Sequence, residues 1–128
     1  MVKVVNVRDL DPTAYNIYIG RSSSLSKDLF EKNPYLIDGT DLGNPIRLEG
    51  EHTREESIAA HREFFLKNVG SYEKLMSTLE SIASKRTVCL ACWCAPKPCH
   101  GDVIADYINN RIREKEPELE SENLFEEE

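Results

Sequence analysis

The sequence reads Arg86-Thr-Val-Cys-Leu-Ala-Cys92-Trp-Cys94-Ala-Pro-Lys-Pro-Cys99-His-Gly-Asp102 and continues as Val-Ile-Ala-Asp-Tyr-Ile-Asn-Asn-Arg-Ile112. The first seven residues have the apolar and β-branched content of a buried strand, whereas the apolar residues after Asp102 recur at helical spacing. The stretch is therefore a strand-loop-helix junction, and it holds all four cysteines and the single tryptophan of the chain. Ligands of open α/β sheets bind at such junctions, where strand ends face helix N-termini.

Strand and helix patterns alternate through the rest of the chain. Strand patterns cover residues 2–7 and 14–20, and helix patterns cover residues 53–68 and 71–84. Helices that separate strands require crossover connections, which favour parallel pairing. The sequence therefore predicts an α/β fold, a small three-layer Rossmann-like domain with a mainly parallel sheet.

Local signals mark the element ends. Thr53 and Glu56 have the spacing of a capping box at the start of the first clear helix. Residues 25–54 contain so many prolines and glycines that only short elements fit, such as a turn of helix at residues 26–32. The last helix is expected to end near Lys115.

Length and charge limit the classes of function. The 128 residues suit one domain, which we place at residues 1–116, followed by an acidic tail at residues 117–128. A net charge of −7 argues against duplex nucleic acid as a partner, because neutralising phosphates requires a basic face. Most of that charge lies in the tail, so a small anionic ligand stays compatible with the body of the domain. The sequence shows no apolar run long enough for a membrane span, and we expect a cytoplasmic protein with reduced cysteines.

The cysteine-rich stretch carries a family resemblance. The run from Cys92 to Asp102, together with Ile19-Gly20-Arg21-Ser22 and Gly43-Asn44-Pro45, resembles the bacterial and phage family called domain of unknown function 4326 over about residues 4–112. The resemblance implies a Rossmann-like fold, work on nucleotides and, for a phage-encoded protein, location in the host cytoplasm. The chain departs from the family pattern in the long insertion between Arg21 and Gly43 and in the extra cysteine, Cys89.

The cysteine-rich stretch permits three interpretations. Cys92, Cys94, Cys99 and His100 offer a Cys₃His set that zinc would bind tetrahedrally. Alternatively, Cys99 at the helix entrance beside His100 would be an activated thiolate, with Asp102 as a third chemical group. Free cysteines are also small buried hydrophobes, which accounts for Cys89 and is an alternative for Cys92. We predict no cofactor and no tightly bound metal, with zinc as the alternative.

A second group of residues is expected to bind the ligand. Arg21 follows a strand end, where a guanidinium grips phosphate or carboxylate, and the preceding glycine lets the backbone approach. Hydroxyls and amides would surround the anion, and the tryptophan would stack on a base or sugar. The predicted ligand-binding set is Gly20, Arg21, Ser22, Ser23, Asn44, Trp93 and Cys94, and the predicted catalytic set is Cys99, His100 and Asp102.

These residues predict binding or processing of a small anionic, nucleotide-derived ligand at the carboxyl edge of the sheet. As an enzyme, the protein would be a nucleotide-directed hydrolase or transferase. The alternative is a non-catalytic module of phage origin that sequesters a ligand or is stabilised by zinc. A homodimer is compatible with either hypothesis.

Overall fold

A computed structural model describes residues 1–46, 48 and 50–127, and for residues 116–127 it describes the backbone alone. Four strands, four α-helices and two short 3₁₀ helices, at Thr40–Leu42 and Val69–Tyr72, make up this part of the chain. In chain order, the strands and α-helices are β1 (Val2–Asn6), β2 (Tyr15–Tyr18), α1 (Ser24–Lys32), β3 (Leu36–Asp38), α2 (Arg54–Lys67), α3 (Glu73–Ala83), β4 (Val88–Cys92) and α4 (His100–Glu127).

The four strands form one parallel sheet in the order β1-β4-β2-β3. The apolar strand β4 lies inside the sheet, with Cys92 opposite Asn6 of β1 and Ala91 opposite Tyr18 of β2. All five residues of β4 are buried, as expected for a strand covered on both faces. The predicted Rossmann-like α/β fold with a parallel sheet is confirmed.

The two faces of the sheet carry different cores because successive side chains of a strand point to opposite sides. On one face, Tyr18, Leu36 and Ala91 pack with apolar residues of α1. On the other face, Ile17 and Leu90 pack with apolar residues of α3 and α4, while α2 packs against α4. The domain thus has three layers, and α4 begins directly above the end of β4.

The connections on either side of β2 contain the irregular parts of the fold. Between β1 and β2, where the sequence predicted no helix, the loop returns along the sheet and is held by the buried Asn16, whose amide donates to the carbonyls of Asp11 and Ala14. The irregular region contributes an edge strand, β3, which was not predicted because it has only three residues. The predicted turn of helix in the same region is α1, a helix of nine residues.

The helix ends follow local sequence signals in most cases. Thr53 and Glu56 form the predicted capping box at the start of α2. The next helix was expected from Ser71, but a 3₁₀ turn precedes it and α3 begins at Glu73. The backbone of α4 continues past Lys115 to Glu127. The predicted acidic tail, residues 117–128, lies outside the described side chains, so the division at residue 116 stays a prediction.

Within the described part of the chain, every helix is too short or too polar to cross a bilayer.

Candidate functional site

A cleft of about 340 Å³ opens above the carboxyl ends of β2 and β4. It lies where open α/β sheets bind ligands. Its walls come from the end of β2, the loop before α1, the turn before residue 46 and the loop between β4 and α4. The lining residues are Tyr18, Gly20, Arg21, Ser23, Asn44, Cys92, Trp93, Cys94 and His100.

The cleft brings together seven of the ten residues predicted for ligand binding or chemistry. Two of the other three, Cys99 and Asp102, lie at the start of α4 behind the cleft wall, and Ser22 does not line the cleft either. Tyr18 and Cys92 line the cleft although neither was assigned to the predicted ligand-binding or catalytic set. The aromatic residue two positions before Gly20 was the available signal for Tyr18, whereas Cys92 was attributed to packing or metal binding.

One wall of the cleft consists of Arg21 and Asn44. The Nε and Nη2 groups of Arg21 both donate to the carbonyl oxygen of Asn44, at 3.3 Å each. The Asn44 side chain accepts from the Ile46 N–H and so fixes its own turn. Arginine has five N–H donors, and the carbonyl uses only two of them. The guanidinium is thus positioned while it keeps donors for an anion.

Ser23 lies beside this wall as the N-cap of α1. Its hydroxyl accepts from the Ser26 N–H, and the Ser26 hydroxyl accepts from the Ser23 N–H, which makes a reciprocal capping box. The first turn of α1 contains no acidic residue, so nothing on the helix itself neutralises the positive end of its dipole.

The opposite wall is the indole ring of Trp93. Its Nε1–H donates to the Tyr18 hydroxyl at 3.0 Å, and that hydroxyl donates to the Arg21 carbonyl at 3.1 Å. Burial raises the pKa of Tyr18, so the hydroxyl stays protonated and available as a donor. Trp93 is held by its edge, while 43% of the residue is exposed.

The loop between β4 and α4 is shaped by partners that the sequence did not indicate. The Asn6 amide donates to the carbonyls of Trp93 and Ala95, at 3.2 and 2.9 Å. Arg54 at the start of α2 donates to the Pro98 carbonyl, and the Ala95-Pro96 peptide bond is cis. Asn6 is therefore a positioning residue for the loop that carries Trp93.

Cys92 and Cys99 face each other beneath the loop. Their Sγ atoms are 3.5 Å apart, at hydrogen-bond distance for two sulfurs. The hydrogen bond from Cys99 lowers the pKa of Cys92, and the same interaction, together with burial, raises the pKa of Cys99. The contact therefore favours negative charge on Cys92 over Cys99.

The start of α4 explains the positions of Cys99 and Asp102. The Cys99 sulfur accepts from the Gly101 N–H at 3.3 Å, and an Asp102 carboxylate oxygen accepts from the Cys99 N–H at 3.0 Å. This arrangement resembles a capping box in which sulfur replaces the hydroxyl. Both side chains satisfy backbone N–H groups of the helix start.

His100 lines the cleft and has its tautomer fixed. Its Nε2 lies 2.9 Å from the Ile19 carbonyl oxygen, which can only accept, so Nε2 carries the proton and Nδ1 keeps its lone pair. Burial lowers the pKa of His100, and the ring is neutral near pH 7.

His61 of α2 lies directly behind His100, with the ring centroids 5.2 Å apart. Its ring also stacks on Phe65, and only 3% of the residue is exposed. Its Nδ1 atom has no hydrogen-bond partner in the part of the chain that is described. Burial, with a smaller effect of His100, lowers the pKa of His61 to about 4.

The zinc alternative required Cys92, Cys94, Cys99 and His100 to converge. Among the described residues, no three His, Cys, Asp or Glu side chains are grouped so that they could hold a metal ion. The donors point to other partners: Cys92 and Cys99 to each other, and His100 Nε2 to the Ile19 carbonyl.

Comparison with protein families matches residues 3–110 to the domain of unknown function DUF4326. The chain belongs to this family. A relative from Enterobacteria phage T4, described as an uncharacterized 12.4 kDa protein of the nrdA-td intergenic region, is 34% identical over 76 residues. That alignment covers 59% of the present chain and 67% of the phage protein. No solved structure matches the chain. The family resemblance carried by the stretch from Cys92 to Asp102 is thereby confirmed.

Proposed function

We propose that this DUF4326 protein binds a small nucleotide-derived anion in the cleft, with the phosphate beside Arg21 and the base against Trp93. One observation carries the proposal. A positioned guanidinium and an edge-held, half-exposed indole line the same cleft, and Asp and Glu are absent from its described lining. An arginine selects an anion, and an exposed aromatic face selects a planar group.

The phosphate end is the more polar part of the cleft. Arg21 precedes the N-cap of α1 by two residues, so its guanidinium and the helix N-terminus act on the same volume. In a chain of net charge −7, such a local positive potential draws a small anion toward one place.

The aromatic end supplies the second part of the recognition. Trp93 cannot turn its ring freely without breaking the bond from Nε1 to Tyr18. A ring already fixed loses little entropy when a base stacks on it, and such stacking contributes roughly 1–3 kcal/mol per base. The cleft volume of about 340 Å³ lies at the lower end of the volumes typical of small-molecule sites, and the cleft is too small for a nucleic-acid duplex.

The chain supplies its own probe for this proposal, because Trp93 is its single tryptophan. Intrinsic fluorescence should change on titration with nucleoside monophosphates, whereas the matching nucleosides, which lack the phosphate, should bind at least about tenfold more weakly. Inorganic phosphate should compete with the nucleotide without producing the full fluorescence change. A panel over several bases identifies the preferred one.

Two arginine variants separate site binding from general electrostatics. Arg21→Ala should weaken nucleotide binding by roughly tenfold to a hundredfold, the effect of losing a hydrogen bond to a charged group. Arg86→Ala is the matched control: Arg86 also donates to a backbone carbonyl, that of Thr13, but it precedes β4 at the opposite end of the sheet. Equal losses in the two variants, or undiminished binding by Arg21→Ala, would remove the basis of the proposal.

Hydrolysis or group transfer on the same ligand is a second candidate function, and His100 is the observation that favours it. Its neutral ring lines the cleft with an Nδ1 lone pair, which suits a general base. Each nucleotide that binds should be incubated with the protein and analysed chromatographically. Product that disappears in His100→Gln supports an enzyme, while unchanged ligand supports the non-catalytic, sequestering alternative.

A further inference from the structure

Two cysteine sulfurs lie together at the floor of the cleft. Cys92 lines the cleft at the end of β4, and Cys99, behind it, has its Sγ 3.5 Å from the Cys92 Sγ. A disulfide bond measures about 2.05 Å, so closing the gap requires a movement of about 1.5 Å, within reach of side-chain rotation. We infer that Cys92 and Cys99 form a reactive dithiol that reduces a small hydroperoxide entering the cleft, with Cys92 as the attacking sulfur.

Access from the cleft distinguishes the attacking cysteine from the cysteine that closes the disulfide. Cys92 is part of the cleft surface, whereas Cys99 is not and is covered by the start of α4. Only 2% of Cys92 and 3% of Cys99 are exposed to solvent. A protein disulfide cannot approach a sulfur that is enclosed to this extent, whereas a hydroperoxide of a few heavy atoms can enter a cleft of about 340 Å³. The substrate class is therefore a small peroxide.

The surroundings of Cys92 favour the thiolate that attacks an O–O bond. The contact with the Cys99 sulfur, 3.5 Å away, lowers the pKa of Cys92 most, and the backbone of Ala95 and Cys94 lowers it further. Thiolates are the nucleophilic form of cysteine. The Cys99 sulfur and the loop that follows β4 thus favour the thiolate form of Cys92.

The reaction balances in two steps. The Cys92 thiolate attacks the distal peroxide oxygen, an S–O bond forms, the O–O bond breaks, and the alkoxide or hydroxide takes a proton from water. Cys99 then attacks the sulfenic acid sulfur, an S–S bond replaces the S–O bond, and water leaves with the Cys99 proton. Two electrons pass from the dithiol to the peroxide, and an added thiol reductant restores both cysteines.

The other two cysteines serve as internal controls. Cys89 is fully buried in β4, and burial raises its pKa, which makes it a poor nucleophile. Cys94 is the most exposed of the four, so a reaction governed by exposure alone would occur there first.

The first test uses the unaltered protein. One molar equivalent of hydrogen peroxide should lower the four free thiols to two, and differential alkylation should place the oxidised pair at Cys92 and Cys99. Trypsin leaves all four cysteines in one peptide, residues 87–111, because Lys97 precedes a proline, so fragment ions must locate the labels. The folded protein should react roughly tenfold faster than this isolated peptide, since the peptide lacks the donors around Cys92.

Three cysteine variants complete the test. Cys99→Ser should stop at a sulfenic acid on Cys92 that dimedone traps, and Cys92→Ser should lose the fast reaction. Cys89→Ala, at a buried position of β4 that does not line the cleft, should behave as the parent. The inference is overturned if the oxidised pair includes Cys94 or Cys89, if a sulfenic acid accumulates on Cys99 in Cys92→Ser, or if the peptide reacts as fast as the protein. The thiol map of the unaltered protein keeps the test decisive even if a variant fails to fold.

Discussion

The indole N–H of Trp93 donates to the hydroxyl of Tyr18 at 3.0 Å, although 75 residues separate them in the chain. The bond joins the loop after β4 to the end of β2, and the Tyr18 hydroxyl extends the connection to the Arg21 carbonyl. The aromatic and cationic walls of the cleft are thus positioned by a single phenol. Their separation is set before any ligand arrives, which lowers the cost of ordering the site on binding.

Removal of this phenol should loosen both walls. Tyr18→Phe keeps the packing against Phe30 but leaves the Trp93 N–H and the Arg21 carbonyl without a partner. We expect a loss of about 1–2 kcal/mol in unfolding free energy and faster rotation of the indole by fluorescence anisotropy. Tyr35→Phe is the control, because among the described residues the exposed Tyr35 hydroxyl bonds only to Asn33. An unchanged anisotropy in Tyr18→Phe would mean that packing alone holds the ring.

The close approach of the Tyr18 side chain requires a glycine at position 20. A Cβ atom at this position would overlap the Tyr18 hydroxyl oxygen, because the two atoms would lie closer than van der Waals contact allows. Gly20→Ala should therefore displace the Tyr18 ring and cost roughly 1–3 kcal/mol of stability, measured by denaturant unfolding. Gly70→Ala is the matched control, since a Cβ there meets no atom of the described residues within 4 Å, and its stability should be equal or slightly higher. Equal stabilities of the two variants would contradict the close contact.

The sequence was most informative where one local signal decides one local structure. The apolar run before Cys92 predicted the buried β4, and the helical spacing after Asp102 predicted α4, because burial and periodicity act within a few residues. The same junction located the cleft, since parallel strands end on one side of a sheet. Arg21 and Trp93 were therefore assigned to one site from their positions at strand ends.

The sequence could not indicate pairings between distant side chains. The bonds from Trp93 to Tyr18 and from Asn6 to the loop after β4 depend on strand order, which no local pattern encodes. For the same reason Cys99 was given the chemical role that its helix start suggested, whereas its side chain faces Cys92. The edge strand β3 was missed because three residues give no periodic signal.

Asp102 offers a direct check on the start of α4. Its carboxylate accepts from the Cys99 N–H and lies in the first turn of the helix, where negative charge is favourable. Asp102→Ala should lower the unfolding free energy by about 1 kcal/mol, and Asp102→Asn should lower it less because the amide oxygen still accepts. Asp106→Ala, at an exposed position of the same helix, is the control. Full stability of Asp102→Ala would show that its carboxylate does not cap the helix.

His61 predicts how stability depends on pH. Its pKa is about 4 in the folded protein and about 6.5 when the chain is unfolded. The unfolded state therefore binds the proton more tightly, and the stability present above pH 6.5 is lost as the pH falls toward 4. The linkage amounts to about 2 kcal/mol between pH 7 and pH 5.

Urea denaturation at several pH values measures this dependence, and His61→Phe should remove most of it. The substitution keeps a ring against Phe65 and eliminates the buried Nδ1 that lacks a partner among the described residues, so stability at pH 7 should be equal or higher. Part of the pH dependence should persist, because burial also lowers the pKa of the neighbouring His100. If His61→Phe lost stability on acidification as steeply as the parent, another group would be responsible for the proton uptake.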